Sequence, residues 1–215
     1  MTRLDSIIDL SHHEQQTIDF AKVKAAGIVA VMHKATEGNY MQDRFYLTRR
    51  DDAKTNGLLW GAFHFGAQGI AGKVQAKYFL KHVGNLDGDF VCLDFETYSK
   101  RHDSKVYCMT LSDAKDFISA VSDKIGRLPF FYSGNTISEK LGKKKDPRLG
   151  ACKLWLAGYV AEKKLKVQPS WADWTLWQYT DGTGGPRHRP VDGVGPCDRS
   201  VFDGDLAALK AVWAK

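Results

Sequence analysis

Two carboxylates lie at the end of an apolar stretch near the middle of the chain, where residues 90–96 read FVCLDFE. A strand turns alternate side chains to opposite faces, so Asp94 and Glu96 should share one face, with α-carbons roughly 6.6 Å apart. At that spacing each charge raises the pKa of the other carboxyl, and one acid can keep a proton while its neighbour ionises. Cleavage of a glycosidic bond uses this combination of a proton donor and a negative group. For the pair alone, a solvated or salt-bridged strand end is the alternative.

The composition is that of a folded, water-soluble protein. Of the 215 residues, 43% are hydrophobic and 26% are charged, and we expect a single domain over residues 1–215. No apolar run is long enough to cross a membrane, and the first residues lack the apolar segment of a signal peptide. We therefore expect no membrane insertion, and either cytoplasmic synthesis with a separate export route or a leader that has been removed.

The net charge narrows the class of binding partner. A net charge of +6 favours an anionic partner, which could be nucleic acid, a membrane or an acidic cell-wall polymer. Nucleic acid is disfavoured because aromatic residues and lysines do not interleave and no recognised motif is present.

The four cysteines are scattered without a Cys-x-x-Cys motif, which predicts free thiols. Histidines are not paired at ligand spacing near Asp94, so we expect neither a metal nor another cofactor.

Apolar strands alternate with amphipathic helices along the first part of the chain. Strands are predicted at 6–10, 28–32, 58–65, 90–96, 129–132, 153–157, 174–179 and 198–202. Helices are predicted from Thr17, over 42–56, around 76–83 and from Thr110 to about residue 125. After residue 132 the links between strands become too short or too polar for full helices.

Eight parallel strands joined by right-handed crossovers close most naturally into a barrel with catalytic groups at the carboxyl ends of the strands. Six polar residues occupy or follow such ends and could therefore converge on one mouth: Asp9, Glu37, Asp94, Glu96, Tyr132 and Asp198.

Six short blocks, taken together and in order, resemble glycoside hydrolase family 25, the Chalaropsis-type lysozymes. They are IDLSH at 8–12, KATEG at 34–38, GAFHF at 61–65, LDFE at 93–96, LWLA at 154–157 and WQY at 177–179. The resemblance covers nearly the whole chain. It implies an α/β fold, a modified TIM-like (β/α)5(β)3 barrel in a single domain, which agrees with the point at which the predicted helices become short.

The resemblance also implies a muramidase, which hydrolyses the β-1,4 bond between N-acetylmuramic acid and N-acetylglucosamine in peptidoglycan. Glu96 would be the general acid, with Asp94, Asp9 and Asp198 as surrounding carboxylates. Asp94 would stay charged and either attack C1 or steady attack by the 2-acetamido group of the substrate. The implied protein is a monomer that is secreted or released to the cell wall.

Substrate binding is expected from residues along the predicted groove. These are Glu37, Phe63, Phe65, Tyr132, Trp155, Trp177 and Gln178. Buried core positions are the alternative for the aromatic members.

Some positions depart from the family pattern. Phe63 stands where a tyrosine is usual, and the insertion at 181–196 leaves either Asp198 or Asp192 for the last acidic position. Asp198 is preferred because an apolar strand follows it. The alternative function is a catalytically weak peptidoglycan-binding protein on the same fold.

Overall fold

The strands predicted from the apolar stretches form and close into a barrel. The computed structural model describes residues 3–14, 17–99 and 105–213. In chain order the strands are β1 (Leu4–Leu10), β2 (Ala30–Glu37), β3 (Met41–Gln42), β4 (Leu59–Phe65), β5 (Phe90–Asp94), β6 (Tyr98–Ser99), β7 (Val106–Tyr107), β8 (Phe130–Ser133), β9 (Leu154–Ala157), β10 (Leu176–Thr180) and β11 (Asp198–Phe202). The helices are α1 (Phe20–Ala25), α2 (Tyr46–Thr55), α3 (Gly72–His82), α4 (Leu111–Ile125), α5 (Asn135–Leu141), α6 (Pro147–Gly150) and α7 (Leu206–Trp213).

Eight strands make the closed barrel, in the order β1-β11-β10-β9-β8-β5-β4-β2, and pairing of β1 with β2 completes the ring. A ninth strand, β3, pairs with the end of β2, and β6 and β7 form a separate ribbon. The first five barrel strands are each followed by a helix. Between β9 and β10 the described chain has only a 3-10 turn at Glu162–Lys164. The predicted modified α/β barrel is therefore confirmed.

The direction of the last strand was predicted wrongly. The strand β11 runs antiparallel to both β1 and β10, whereas eight parallel strands were expected. The reason is that the link after β10 is a loop, not a crossover helix, so the chain re-enters the barrel from the same end. Asp198 therefore reaches the mouth as the first residue of its strand.

Two helix starts also differ from the prediction. Asp19, not Thr17, caps α1, because its side chain accepts a hydrogen bond from the backbone N–H of Lys22. The second helix begins at Tyr46, because Gln42, predicted as its first residue, instead belongs to β3 and pairs with β2. The expected cap at Thr110 is present and accepts from the N–H of Asp113. The cysteines are buried free thiols, as predicted.

Alternation along the strands divides the core into two parts. Phe90 and Cys92 point into the barrel, whereas Val91, Leu93 and Phe95 pack outward against the helices. The helix α7 closes the interior at the amino ends of the parallel strands, where the Trp213 ring lies 4.8 Å from that of Phe90. No helix in the described part of the chain is long and apolar enough to cross a membrane.

Candidate active site

A cavity of about 300 Å³ lies at the carboxyl ends of the parallel strands, opposite α7. Its walls combine four acids with aromatic and amide side chains. The lining residues are Asp9, Ser11, His13, Lys34, Phe63, Phe65, Asp94, Glu96, Tyr132, Trp155, Tyr159, Gln178 and Asp198. The four carboxylates predicted from separate parts of the sequence are therefore brought together at one mouth.

Asp94 is the last residue of β5, and Glu96 follows just beyond it. Asp94 is 5% exposed, and its backbone lies between Phe65 of β4 and Tyr132 of β8 in the sheet register. Its Oδ1 has no hydrogen-bond partner among the residues that the structure describes. Glu96 is less buried and lines the same cavity. The two acids thus share one face, as the alternation along the strand predicts.

The pair titrates at a higher pH than ordinary carboxyl groups. Burial raises the pKa of Asp94 well above its usual value, and the charge of Glu96 raises it further, while Lys34 opposes both effects. Burial also raises the pKa of Glu96, again against Lys34. Both carboxyls therefore keep a proton to a higher pH than free acids do, and two coupled carboxyls can share one proton. The expectation that Glu96 carries this proton stays a prediction.

A buried amide connects Asp9 to two tyrosines. Gln178 donates from Nε2 to both carboxylate oxygens of Asp9, at 3.0 Å each. Its Oε1 accepts hydrogen bonds from the hydroxyls of Tyr132, at 2.7 Å, and of Tyr159, at 3.0 Å. Burial and the nearby charge of Asp198 raise the pKa of Asp9 well above its usual value, whereas the Gln178 amide lowers it. This network holds one carboxyl and two hydroxyls in place around the cavity.

Asp198 lines the cavity beside Asp9, with which it is paired in the antiparallel register of β1 and β11. Burial raises its pKa to about 7, with further contributions from Glu14 and Asp181. Asp192 is exposed in the loop before β11 and is not among the cavity residues. Of the two acids left open by the sequence, the structure brings Asp198 to the site.

Lys34 is the one cation that lines the cavity among the described residues. Its Nζ lies 2.5 Å from Oε2 of Glu37 and 4.5 Å from the centre of the Phe65 ring. A register shift in β2 between Lys34 and Thr36 turns Glu37 to the same face as Lys34, although strict alternation would separate them. Burial alone would raise the pKa of Glu37, but the Lys34 ammonium lowers it overall. Glu37 thus pairs with the lysine at the rim and does not line the cavity.

The predicted aromatic residues divide between the two faces of the barrel. Phe63, Phe65, Tyr132 and Trp155 line the cavity, although Trp155 is only 1% exposed and forms its floor. Trp177 does not reach it. Because Trp177 and Gln178 are adjacent in β10, only one of them can face the interior, and the Trp177 indole instead donates to the carbonyl of Gly158 on the outside, at 2.8 Å.

Four lining residues were not among the expected site residues: Ser11, His13, Lys34 and Tyr159. Lys34 had a sequence signal, since it lies in the same strand face as Ala30 and Met32, which point into the barrel. Tyr159 follows the carboxyl end of β9 by two residues, in the same way that Glu96 follows β5. Ser11 and His13 lie in the turn after β1, where sequence spacing predicts no direction for a side chain.

Two buried histidines belong to the outer core and not to the cavity. His33 contacts the Lys34 carbonyl and Arg49, and His64 contacts Thr36 and Gln75. Burial lowers the pKa of each imidazole to about 4. Within residues 3–14, 17–99 and 105–213, no three His, Cys, Asp or Glu side chains are arranged to hold a metal ion.

Comparison with known proteins gives matches along most of the chain. Lysozyme M1 of Streptomyces globisporus is 29% identical over 214 residues, which cover 95% of this chain and 70% of that protein. N,O-diacetylmuramidase of Chalaropsis sp is 28% identical over 183 residues, covering 80% of this chain and 86% of that protein. The structure of a family GH25 lysozyme from Aspergillus fumigatus superposes with a TM-score of 0.82 at 27% identity and covers 100% of both chains.

The family model for glycosyl hydrolases family 25 matches residues 8–186. The matched segment runs from the end of β1 past β10 and includes three of the four cavity acids, Asp9, Asp94 and Glu96. Asp198 lies beyond it, in the strand that closes the barrel. A match of this extent identifies the family: the chain belongs to glycosyl hydrolases family 25.

Proposed function

We propose that this chain is a muramidase that hydrolyses the β-1,4 bond between N-acetylmuramic acid and N-acetylglucosamine in bacterial peptidoglycan. Family membership and the relatives named lysozyme and muramidase support the reaction class. The observation that carries the proposal is the pair Asp94 and Glu96, buried at the cavity with raised pKa values. A pair that shares a proton near neutral pH supplies both an acid and a negative group.

The reaction requires the proton to leave the pair from Glu96. When the bond from C1 to the glycosidic oxygen lengthens, positive charge develops on the sugar, and this charge favours the ionised form of Asp94. In a coupled pair the proton then belongs to Glu96, which donates it to the departing oxygen. Asp94 either bonds to C1 or steadies attack on C1 by the 2-acetamido oxygen. Water then attacks C1, the bond from C1 to Asp94 or to the acetamido oxygen breaks, and the water gives one proton to the Glu96 carboxylate. The product carries a new reducing end.

Asp9 and Asp198 add negative charge around the reacting sugar. Asp9 is held by the two hydrogen bonds from Gln178, so its position is set before substrate arrives. Carboxylates placed in advance around a developing positive charge stabilise the transition state with little reorganisation. Their charges also help to keep the proton on the Asp94 and Glu96 pair, because like charges oppose further ionisation.

We also infer that the protein acts on the cell wall as a monomer, after secretion or release. The net charge of +6 favours approach to an anionic wall.

The test compares the unmodified protein with Glu96→Gln on purified peptidoglycan. Reducing ends are measured, and the released muropeptides are identified by mass spectrometry. We expect N-acetylmuramic acid at the reducing ends and a loss of at least about 100-fold in the variant, as for removal of a general acid. Glu139→Gln, the same change at an exposed position of α5, is the matched control and should retain the unmodified rate.

Two results would contradict the proposal. Equal rates for Glu96→Gln and the unmodified protein would remove Glu96 from the chemistry. Absence of release from several wall types by the unmodified protein, together with binding to those walls, would instead support a peptidoglycan-binding protein without turnover.

A further inference from the structure

A second cleft adjoins the catalytic cavity at the loops after β8 and β9. It has a volume of about 630 Å³, and we call it the lysine cleft. Its apolar wall includes Leu156 and Val160, and its rim carries three lysines. The residues used below are Leu156, Tyr159, Val160, Lys163, Lys164 and Lys166.

Tyr159 joins the lysine cleft to the catalytic cavity, because its side chain lines both. Its hydroxyl bonds to Gln178 on the catalytic side, while the residue as a whole is 40% exposed. Val160 beside it is 42% exposed. A ligand bound in the cavity could therefore extend over Tyr159 into the lysine cleft without leaving the protein surface.

The three rim lysines have charge available for a ligand. Lys163, Lys164 and Lys166 are exposed, and in the described part of the chain their ammonium groups form no salt bridge or hydrogen bond. The acidic residue of this segment, Glu162, is already paired with Arg3. The rim is therefore a positive patch without a compensating carboxylate of its own.

The segment that carries the lysines is held against the barrel. The N–H of Gly158 donates to the Gln178 carbonyl at 2.9 Å, and the Trp177 indole donates to the Gly158 carbonyl at 2.8 Å. Leu165 packs on the core between the lysines, and a Cβ on Gly158 would lie 2.7 Å from its side chain. The segment 158–166 is thus anchored to the barrel at Gly158 and Leu165, which lowers the cost of ordering it when a ligand binds.

We propose that the lysine cleft binds the peptide stem of the peptidoglycan strand, with the rim lysines contacting the free carboxylates of the stem. This rests on the proposed function, since the stem is attached to the N-acetylmuramic acid that the cavity would hold. A peptide with carboxylates matches a cleft with an apolar wall and a cationic rim. Continuity through Tyr159 favours a ligand that belongs to the substrate itself over a separate anionic polymer.

The test uses two forms of one peptidoglycan preparation, both stripped of phosphate polymers with hydrofluoric acid. One keeps its stems, and in the other an amidase has removed them. For the variant Lys163→Gln/Lys164→Gln/Lys166→Gln, the ratio of kcat/KM with stems to kcat/KM without stems should fall about tenfold. This follows if each exposed ion pair contributes a factor of about two. Added NaCl should reduce the difference.

The matched control is Lys143→Gln/Lys144→Gln/Lys145→Gln, which removes the same charge from exposed residues outside the cleft. These lysines follow the carboxyl end of α5, whereas the loop after β8 that borders the cleft precedes the amino end of this helix. The helix has 7 residues and is about 10 Å long. The ratio of the two kcat/KM values should not change in this variant. Pelleting of each protein with the insoluble peptide-bearing glycan gives a Kd that does not depend on turnover.

An unstripped sample of the same wall is assayed beside the two stripped forms. Three results would overturn the inference: an unchanged ratio and Kd in the cleft variant, the same change in the control variant, or a loss on the unstripped wall with no loss on the stripped forms. The last result would assign the lysines to the phosphate polymers. If the unmodified protein releases no reducing ends, the proposed function fails. The Kd comparison then still decides whether the cleft recognises stems.

Discussion

Replacement of Asp198 by asparagine should stabilise the fold, by an amount that grows with pH. Burial, with Glu14 and Asp181 nearby, raises the pKa of Asp198 from 3.8 to about 7 in the folded protein. The folded state therefore holds this proton more tightly than the unfolded chain. The contribution of Asp198 to the free energy of unfolding is fully present below about pH 3.8 and is lost as the pH rises towards 7. An asparagine keeps the shape and does not ionise, so the variant escapes this loss.

The interval from 3.8 to about 7 corresponds to ~4 kcal/mol, at about 1.4 kcal/mol for each pKa unit. Because Asp198 is only partly buried, solvent screening reduces the expected gain to ~2–3 kcal/mol at pH 8. Urea unfolding at intervals from pH 4 to pH 8 measures it. The difference in unfolding free energy between Asp198→Asn and the unmodified protein should be small at pH 4, increase to about pH 7 and then stay constant.

Asp192→Asn is the control, since Asp192 is exposed in the loop before β11 and competes with Asp198 for the same position in the sequence. Its unfolding free energy should follow that of the unmodified protein at every pH. A stabilisation by Asp198→Asn that does not vary with pH would refute the reasoning, because it would show that the effect is not ionisation. If Asp198→Asn also loses wall hydrolysis, then the ionised Asp198 carboxylate lowers the stability of the fold but is needed for activity.

Two further predictions concern charge in and beside the cavity. Lys34→Gln removes the ammonium that lowers the pKa of both Asp94 and Glu96, so the acidic limb of the pH–kcat profile should move up by about one pH unit; an unmoved limb would show that Lys34 does not act on the pair. The imidazoles of His33 and His64, whose pKa burial lowers to about 4, should stay neutral from pH 8 to pH 5 in nitrogen-detected NMR spectra. Their neutral form stabilises the fold above about pH 6.5, and that contribution is lost as the pH falls towards 4; titration of either ring near pH 6.5 would contradict this burial.

Local patterns were enough for most of the barrel. The alternation in residues 90–96 predicted that Val91, Leu93 and Phe95 pack on one side and that Asp94 lies on the other, and the two core clusters are divided in that way. The same rule excludes Trp177 from the cavity once Gln178 is placed there. The prediction of both as substrate contacts combined two residues that a strand must separate.

Sequence alone determined which acids are available and that most of them follow apolar strands, because a strand's period of two and the burial of its apolar face are local properties. Only the tertiary structure decided three features of the site. The register shift in β2 turned Glu37 towards Lys34, and the antiparallel entry of β11 brought Asp198 beside Asp9. The fold also placed Tyr159 between the cavity and the lysine cleft. Each depends on pairing between residues distant in the chain, and spacing along one strand carries no information about the partner that strand will meet.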